Sequence, residues 1–470
     1  MNIRHQEIEI EAGNPFKNCQ LDRKKYALAL TGIVNAYSNG FVLGLNNKWG
    51  TGKTTFVKMW KQHLDDEGHK TVYFNAWEND FEDNALTAIM GELKTLTKKT
   101  TEKQFTSVLK KAAVLSKHIA PTLVHAIADK YISVEIVKET LENISKGVSD
   151  IFENDVNEYA KKKKNIGEFK EQLSKFIADT YDGKPLIFII DELDRCRPNY
   201  AVSILEQIKH FFSVPNIVFV LSIDKVQLGN AVRGVYGSEL LDADGYLKRF
   251  IDLEYSIPAP EATIYSKYLY KYFEFDEFLS SQNRLKYSEL KYDKNDFEGI
   301  SNILLTRDVS LREQEKILGH SRIALRSFGE NMYLFPTVFL FLIYVKVTDE
   351  IFYSDISNKK LKISDFQSKF VTVFKNTISE DNEAEILWLE AYLLIFYNYY
   401  LHGSSRTNLL YEIDNETRKN KLKIKSVIDK SDNSEKLLNI MQSIERSRDA
   451  GRISLDHFLN RINLTEAIVS

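Results

Sequence analysis

An apolar run, "FVLGLNN" (41–47), passes directly into "KWGTGKTT" (48–55), and an amphipathic stretch, "TTFVKMWKQHLDDEG" (54–68), follows. Strand, glycine loop, helix is the order that the phosphate-binding pattern G-x-x-x-x-G-K-[ST] requires. In that pattern the loop's backbone N–H groups wrap phosphates and its Lys reaches the outer ones, while its Ser or Thr meets a metal ion. The window here is Asn47-Lys48-Trp49-Gly50-Thr51-Gly52-Lys53-Thr54, with Thr55 next. Gly52, Lys53 and Thr54 are in place, and Gly50 adds freedom. Asn47 stands where the first glycine is expected. Asn tolerates positive φ better than other residues with a side chain, so it is expected to stand in for that glycine with some strain.

The surroundings fit one architecture. "LDRKKYALALTGIVNAYS" (21–38) has helical spacing, with Asp22 as a candidate N-cap and Asn39-Gly40 as a stop. "KTVYFNAW" (70–77) is a second strand. "PLIFIID" (185–191) and "NIVFVLSID" (216–224) are apolar throughout, as central parallel strands are. "YAVSILEQIKHFF" (200–212) joins them as a helix, and "FIDLEYSIP" (250–258) is a fifth strand candidate. The expected fold is therefore α/β: a P-loop NTPase parallel sheet with a helical insertion and a helical C-terminal region. The boundaries read as 1–83 and 176–260 for the two parts of the core, with 84–175 as the insertion. A lid-like helical region is read over 261–330 and a helical domain over 331–470.

The end of the third strand supplies the second half of a site. In P-loop enzymes a strand-end Asp holds Mg²⁺, and an adjacent Glu can activate water. Asp191 and Glu192 occupy those places. Lys53 would neutralise phosphate charge, and Thr54 with Asp191 would hold the metal. Ser222 and Asp224 end the next strand, where an open sheet lines its site. They read either as groups facing the phosphate or water or, for Asp224, as the N-cap of the following helix. Arg195, Arg249 and Arg312 are candidates for the cation that steadies a phosphoryl transition state, against the usual fate of an Arg in a surface ion pair. Trp77 and Cys196 read as packing residues, and no spaced Cys/His set suggests zinc.

Together these stretches resemble the KAP family of P-loop NTPases, in the AAA+/STAND-like division. The resemblance rests on "LDRKKYALAL", the Trp-containing loop "NKWGTGKTT", "FNAW" (74–77) and above all "IIDELDRCRP" (189–198), with "FVLSIDKVQLGNAV" and "YLKRFIDLEYSIPAP" further on. It covers about 15–330. Two departures stand out: Asn47 replaces the usual Walker A glycine, and Glu192 replaces the second Asp of the usual Walker B pair. The resemblance implies a nucleotide-dependent switch, and bacterial relatives are often linked to defence against phage or plasmids. Many relatives carry transmembrane helices between the Walker motifs; here that insertion is charged, with "KKKK" at 161–164.

Composition narrows the class. The 470 residues carry 63 Lys and Arg against 66 Asp and Glu, for a net charge of −3, so no global field draws the chain to nucleic acid or anionic membrane. Basic clusters at Lys98-Lys99, Lys110-Lys111, 161–164 and 418–425 read as solvated helix faces, and nucleic-acid binding is not favoured. Two cysteines fit a reducing, cytoplasmic compartment. The apolar runs 332–345 and 386–401, the latter interrupted by Glu390, read as buried core helices rather than membrane spans. A protein partner or self-assembly through the helical regions is expected. The favoured reading is Mg²⁺-assisted ATP hydrolysis, with GTP not excluded. The rivals are a phosphotransferase and a nucleotide-stabilised scaffold without turnover.

Overall fold

The computed structural model describes residues 7–465, apart from 38, 83, 117–150, 181–183, 211, 306–307, 376, 404–409, 414–419, 430–433 and 447–452, and apart from the side chains of 116, 151–162 and 262. Much of the expected insertion and part of the 161–164 and 418–425 basic clusters lie outside the described residues. The chain divides into two compact units, one over Glu7–Ala259 and one containing Pro260–Ser470.

The first unit runs α1 (Lys24–Ala36), β1 (Phe41–Asn46), α2 (Lys53–Asp66), β2 (Lys70–Asn75), α3 (Ala85–Lys94), α4 (Glu102–Ser116) and α5 (Ile151–Thr180). It continues with β3 (Leu186–Asp191), α6 (Pro198–His210), β4 (Ile217–Ile223), α7 (Lys225–Tyr236), α8 (Ala243–Leu247) and β5 (Leu253–Tyr255). The five strands lie in the order β2-β3-β4-β1-β5, every pair parallel.

Strand periodicity divides the sheet into two cores. Leu43, Leu45, Ile187, Ile189, Val218 and Val220 pack with Phe56, Val57 and Trp60 of α2 and with Ala27, Leu30 and Val34 of α1. The alternate residues, Phe74, Phe188, Ile190, Phe219 and Leu221 among them, meet the other layer, which includes α3 to α7. The described parts of the 84–175 segment pack on the sheet's second face: Leu86 and Ile89 of α3 and Phe169 of α5 are buried in that core, as is Phe176 just beyond it. Trp60 shows how completely the first face closes. Its ring is fully buried, and its Nε1–H donates to Thr31 Oγ1 of α1 at 3.0 Å.

The sequence reading needs local correction here. Asp22 does not cap α1; Arg23 is the N-cap residue and makes no side-chain cap, while Asp22 takes φ 47°. The fifth strand shrinks to three residues, since 247–251 turn back on themselves through Phe250 N–H to Leu247 O and Ile251 N–H to Leu247 O. Trp77 is 52% exposed, with the Arg195 guanidinium 5.5 Å from its ring centre. It is a surface stacking partner because β2 ends two residues earlier, at Asn75.

The second unit is mostly helical: α9 (Ala262–Tyr272), α10 (Asp276–Leu279), α11 (Asp293–Leu304), α12 (Leu311–Leu325), α13 (Pro336–Thr348), α14 (Glu350–Ser357), α15 (Ile363–Phe374), α16 (Glu383–His402), α17 (Glu435–Arg446) and α18 (Asp456–Ile462). The two apolar runs became α13 and α16, both packed inside the unit. No helix among the described residues is long and apolar enough to cross a membrane. Buried Glu390 of α16 accepts hydrogen bonds from Gln367 Nε2, Ser426 Oγ and the Val427 N–H. A small antiparallel pair, β6 (Tyr411–Ile413) and β7 (Asn420–Leu422), was not expected from the sequence. Strands of three residues are too short to show a period.

Candidate functional site

The two glycines of the loop do what their type permits. Gly50 and Gly52 take φ of 76° and 79°, left-handed values that cost a side chain dearly. Gly52 is the N-cap of α2 and leaves the first turn without a side-chain cap. The open N–H groups and the helix dipole make that terminus a natural anion site. Thr54 and Thr55 lie half-buried in the same turn, Lys48 is exposed, and Thr51 Oγ1 donates to Lys48 O at 2.9 Å.

Asn47 departs from expectation. It has no positive φ. Its backbone N–H donates to Ile223 O at 3.1 Å, extending the contact between β1 and β4. Its side chain then grips the chain beyond β5: Nδ2 donates to Ile257 O at 2.7 Å, and Oδ1 accepts from Ile257 N–H at 2.9 Å. The side chain acts as a two-pronged backbone mimic, a role no glycine could fill.

A second residue that sequence reasoning missed steadies the other end of the loop. Buried Arg23 donates from Nη2 to Thr51 O at 2.7 Å and from Nη1 to Gly52 O at 3.0 Å. Its only signal was an Arg at the start of an otherwise ordinary helix.

Sheet register brings the acids to the loop. Asn75, Asp191, Ser222, Leu45 and Tyr255 form one lateral row across the carboxyl ends of the strands. Asp191 shares the parity of Ile187 and Ile189, and Ser222 that of Val218 and Val220, so both belong to the α2 face. Asp191 is buried and accepts from the Tyr73 hydroxyl at 2.9 Å and from the Glu192 N–H at 3.0 Å. Ser222 is fully buried, and its hydroxyl has no hydrogen-bond partner among the described residues.

Lys53 donates to the carbonyls of Asn47 and Lys48. Burial pushes its ammonium below the usual lysine range, against the pull of Asp194, Asp224 and Asp191. The charges of three carboxylates therefore act on one desolvated cation. Asp194 is the further acid that the sequence reading passed over. It is buried, it accepts the Trp49 indole N–H, and burial raises its carboxyl while that hydrogen bond and Lys53 oppose the rise. The loop tryptophan thus ties the phosphate loop to the turn after β3.

Asp224 takes the capping role and also meets the loop backbone. Oδ1 caps α7 by accepting from Val226 and Gln227 N–H, and Oδ2 accepts the Trp49 N–H at 3.3 Å.

Glu192 adopts φ 60°, strained for a residue with a side chain, at the start of a short turn over Leu193–Arg195. Its carboxylate pairs with Arg195 Nη1 at 2.8 Å and accepts weakly from Asn75 Nδ2 at 3.4 Å. Burial raises the Glu192 carboxyl above its ordinary value; Arg195 opposes this, and Asp191 adds to it. Arg195 thus holds the neighbouring acid. Arg249 is exposed just after α8, one turn beyond Tyr246. Arg312 is exposed in the first turn of α12 in the second unit. Cys196 is buried, its thiol pushed up by desolvation, which suits packing rather than nucleophilic work.

The donor set fits a nucleoside triphosphate with a divalent cation. It offers an uncapped helix terminus behind two left-handed glycines, a desolvated Lys and a buried carboxylate. An unpartnered buried hydroxyl lies at the same end of the sheet.

Comparison with known proteins gives three kinds of match. The model of the KAP family P-loop domain matches residues 23–335. A 62-residue segment is 45% identical to an uncharacterised protein of Methanocaldococcus jannaschii, covering 13% of this chain and 31% of that protein, so the match spans under a third of that relative. Among solved structures, the Aeropyrum pernix ORC2 protein in its ADPNP–ADP complexes is 15% identical with a TM-score of 0.34, covering 91% of this chain and 95% of that one. Drosophila ORC bound to DNA is 11% identical with a TM-score of 0.27, covering 96% of this chain and 86% of that one.

Proposed function

The chain belongs to the KAP family of P-loop NTPases, and from that premise we propose that it hydrolyses ATP with Mg²⁺ and uses the turnover as a molecular switch. The observation that carries the proposal is the placement of Glu192 beside Asp191, at the strand ends that face Lys53. A binding scaffold needs the loop alone; it has no use for a desolvated carboxylate held next to the metal position.

Gly50, Gly52 and the first turn of α2 would seat the β- and γ-phosphates, and Lys53 would leave its loop carbonyls for the phosphate oxygens. Thr54 and Asp191 would hold Mg²⁺, which when bound would draw charge from those oxygens. Glu192, with its proton affinity raised by burial, would take the proton from the attacking water. Ser222, whose hydroxyl has no hydrogen-bond partner among the described residues, would orient that water or a γ-phosphate oxygen. Arg195 and Asn75 would fix the Glu192 carboxylate. Arg249 and Arg312 remain candidates for a transition-state cation. Asn47 supports the loop through Ile257, which removes the main reason to read the site as defective.

A role in anti-phage or anti-plasmid defence is proposed from the family resemblance alone, and assembly with a protein partner or with itself from the apolar, aromatic helical regions. A cytoplasmic site of action is proposed from the two-cysteine composition.

The test is phosphate release from ATP and GTP with Mg²⁺, measured beside nucleotide binding, for the wild type and Glu192→Gln. Loss of about 10²- to 10⁴-fold in release with binding retained is expected for removal of a general base. Equal release from both proteins refutes the role of Glu192. Binding without release in the wild type refutes unassisted hydrolysis.

A further inference from the structure

The second unit holds a cavity of about 620 Å³ bounded by α11, α16, α17 and the turn leading into α13. One wall is a chain of four rings. Tyr333 and Phe335 are stacked with centres 5.7 Å apart, Phe335 and Tyr392 lie 5.1 Å apart, and Tyr392 and Trp388 lie 5.8 Å apart. Trp388 is 39% exposed, large for an aromatic side chain on a helix that is mostly buried.

The rim of the cavity is acidic. Asp296 of α11 and Glu385 of α16 line it together, and among the described residues neither has an ion-pair partner. Asp296 is exposed at the rim, yet its carboxyl is raised, first by desolvation and then by the charge of Glu385. The cations near them in sequence are engaged elsewhere. Lys294 pairs with Asp276 at 2.8 Å, Lys291 lies 4.9 Å from the Tyr292 ring centre, and Lys436 is 3.9 Å from Glu383. Buried Arg284 is committed to Asp293 and to the carbonyls of Glu330 and Met332.

Two carboxylates that repel one another and a wall built of aromatic rings attract the same thing. Ring faces carry negative quadrupole density and bind organic cations, ammonium groups included. The volume falls in the range of small-molecule sites, about 300–1,000 Å³, rather than that of a broad docking face. We propose that this cavity binds a small organic cation of the polyamine class, its ammonium groups between Asp296 and Glu385 and its alkyl chain along Tyr333, Phe335, Tyr392 and Trp388. The inference is independent of the nucleotide site.

The test is calorimetric titration of spermidine into the full chain without nucleotide, with an uncharged diol of similar length as control. Saturable one-to-one binding of spermidine and none of the diol is expected. The double substitution Asp296→Asn with Glu385→Gln should weaken binding at least about ten-fold, a difference of about 1.4 kcal/mol. The control pair Glu380→Gln with Asp381→Asn, exposed acids away from the cavity, should leave it unchanged. Circular dichroism checks that each variant is folded. The proposal is overturned by no saturable binding at millimolar spermidine, by equal loss in both double variants, or by binding of a Lys- or Arg-bearing peptide but not of spermidine.

Discussion

Asn47→Gly would restore the residue usual at the start of a phosphate loop, and the structure predicts that it harms the protein. Two hydrogen bonds to Ile257 are lost, at 2.7 and 2.9 Å. Each contributes roughly 0.5–1.5 kcal/mol net. The buried Ile257 backbone is left with a donor and an acceptor to satisfy, which places the loss near the upper end of that range. The glycine adds about 0.5–1 kcal/mol of unfolded-state entropy, with no positive φ at the site to offset it. The total is roughly 2–4 kcal/mol. At about 2–4 °C per kcal/mol for a unit of this size, melting should fall by roughly 5–15 °C. Asn47→Ala loses the same two bonds without the entropy cost and should fall short of the glycine variant by about 0.5–1 kcal/mol. Thermal unfolding with and without nucleotide reads both numbers. A glycine variant as stable as the wild type, or one that binds nucleotide more tightly, would show that the Asn47–Ile257 clasp does not support the loop.

Ser222→Ala removes a buried hydroxyl that has no hydrogen-bond partner among the described residues; stability should be unchanged or higher by up to about 1 kcal/mol, while phosphate release slows. A stability loss together with normal turnover would mean that the hydroxyl is structural. Arg195→Ala takes away the cation that opposes the rise of the Glu192 carboxyl. A base works deprotonated, so activity falls as pH drops through its pKa; that acid limb should lie above the ordinary Glu value of about 4.3 and move to still higher pH in the variant. An unmoved limb in the pH–rate profile would separate Glu192 from the proton transfer. Arg23→Met frees the Thr51 and Gly52 carbonyls, and at roughly 1.5 kcal/mol or more per charged hydrogen bond nucleotide affinity should drop about ten-fold or more, measured by titration, with a lower melting temperature.

Those residues also mark where reading the chain stopped. The loop, its flanking strand and helix, and the Asp191-Glu192 pair are contiguous in sequence, and their periodicity and spacing are local properties. The parallel sheet followed from them, because apolar runs such as "PLIFIID" and "NIVFVLSID" have no other use than burial on both faces. What Asn47, Arg23 and Asp194 do was not legible, and neither was the full burial of the Ser222 hydroxyl. Asn47 meets Ile257, 210 positions away, and Trp49 meets Asp194, 145 positions away. Such pairs exist only once β4 has been inserted between β1 and β3 and the strand ends have been aligned. The same holds for the row that runs Asn75, Asp191, Ser222, Leu45, since register fixes which residues sit side by side and register is set by the packing of both sheet faces at once. The sequence by itself therefore determined the chemistry available to this protein, a phosphate loop and the acids to go with it. Only the tertiary structure decided which side chains hold that loop, which acid is desolvated, and which hydroxyl is left without a partner, because burial and pairing belong to neighbours in space and not along the chain.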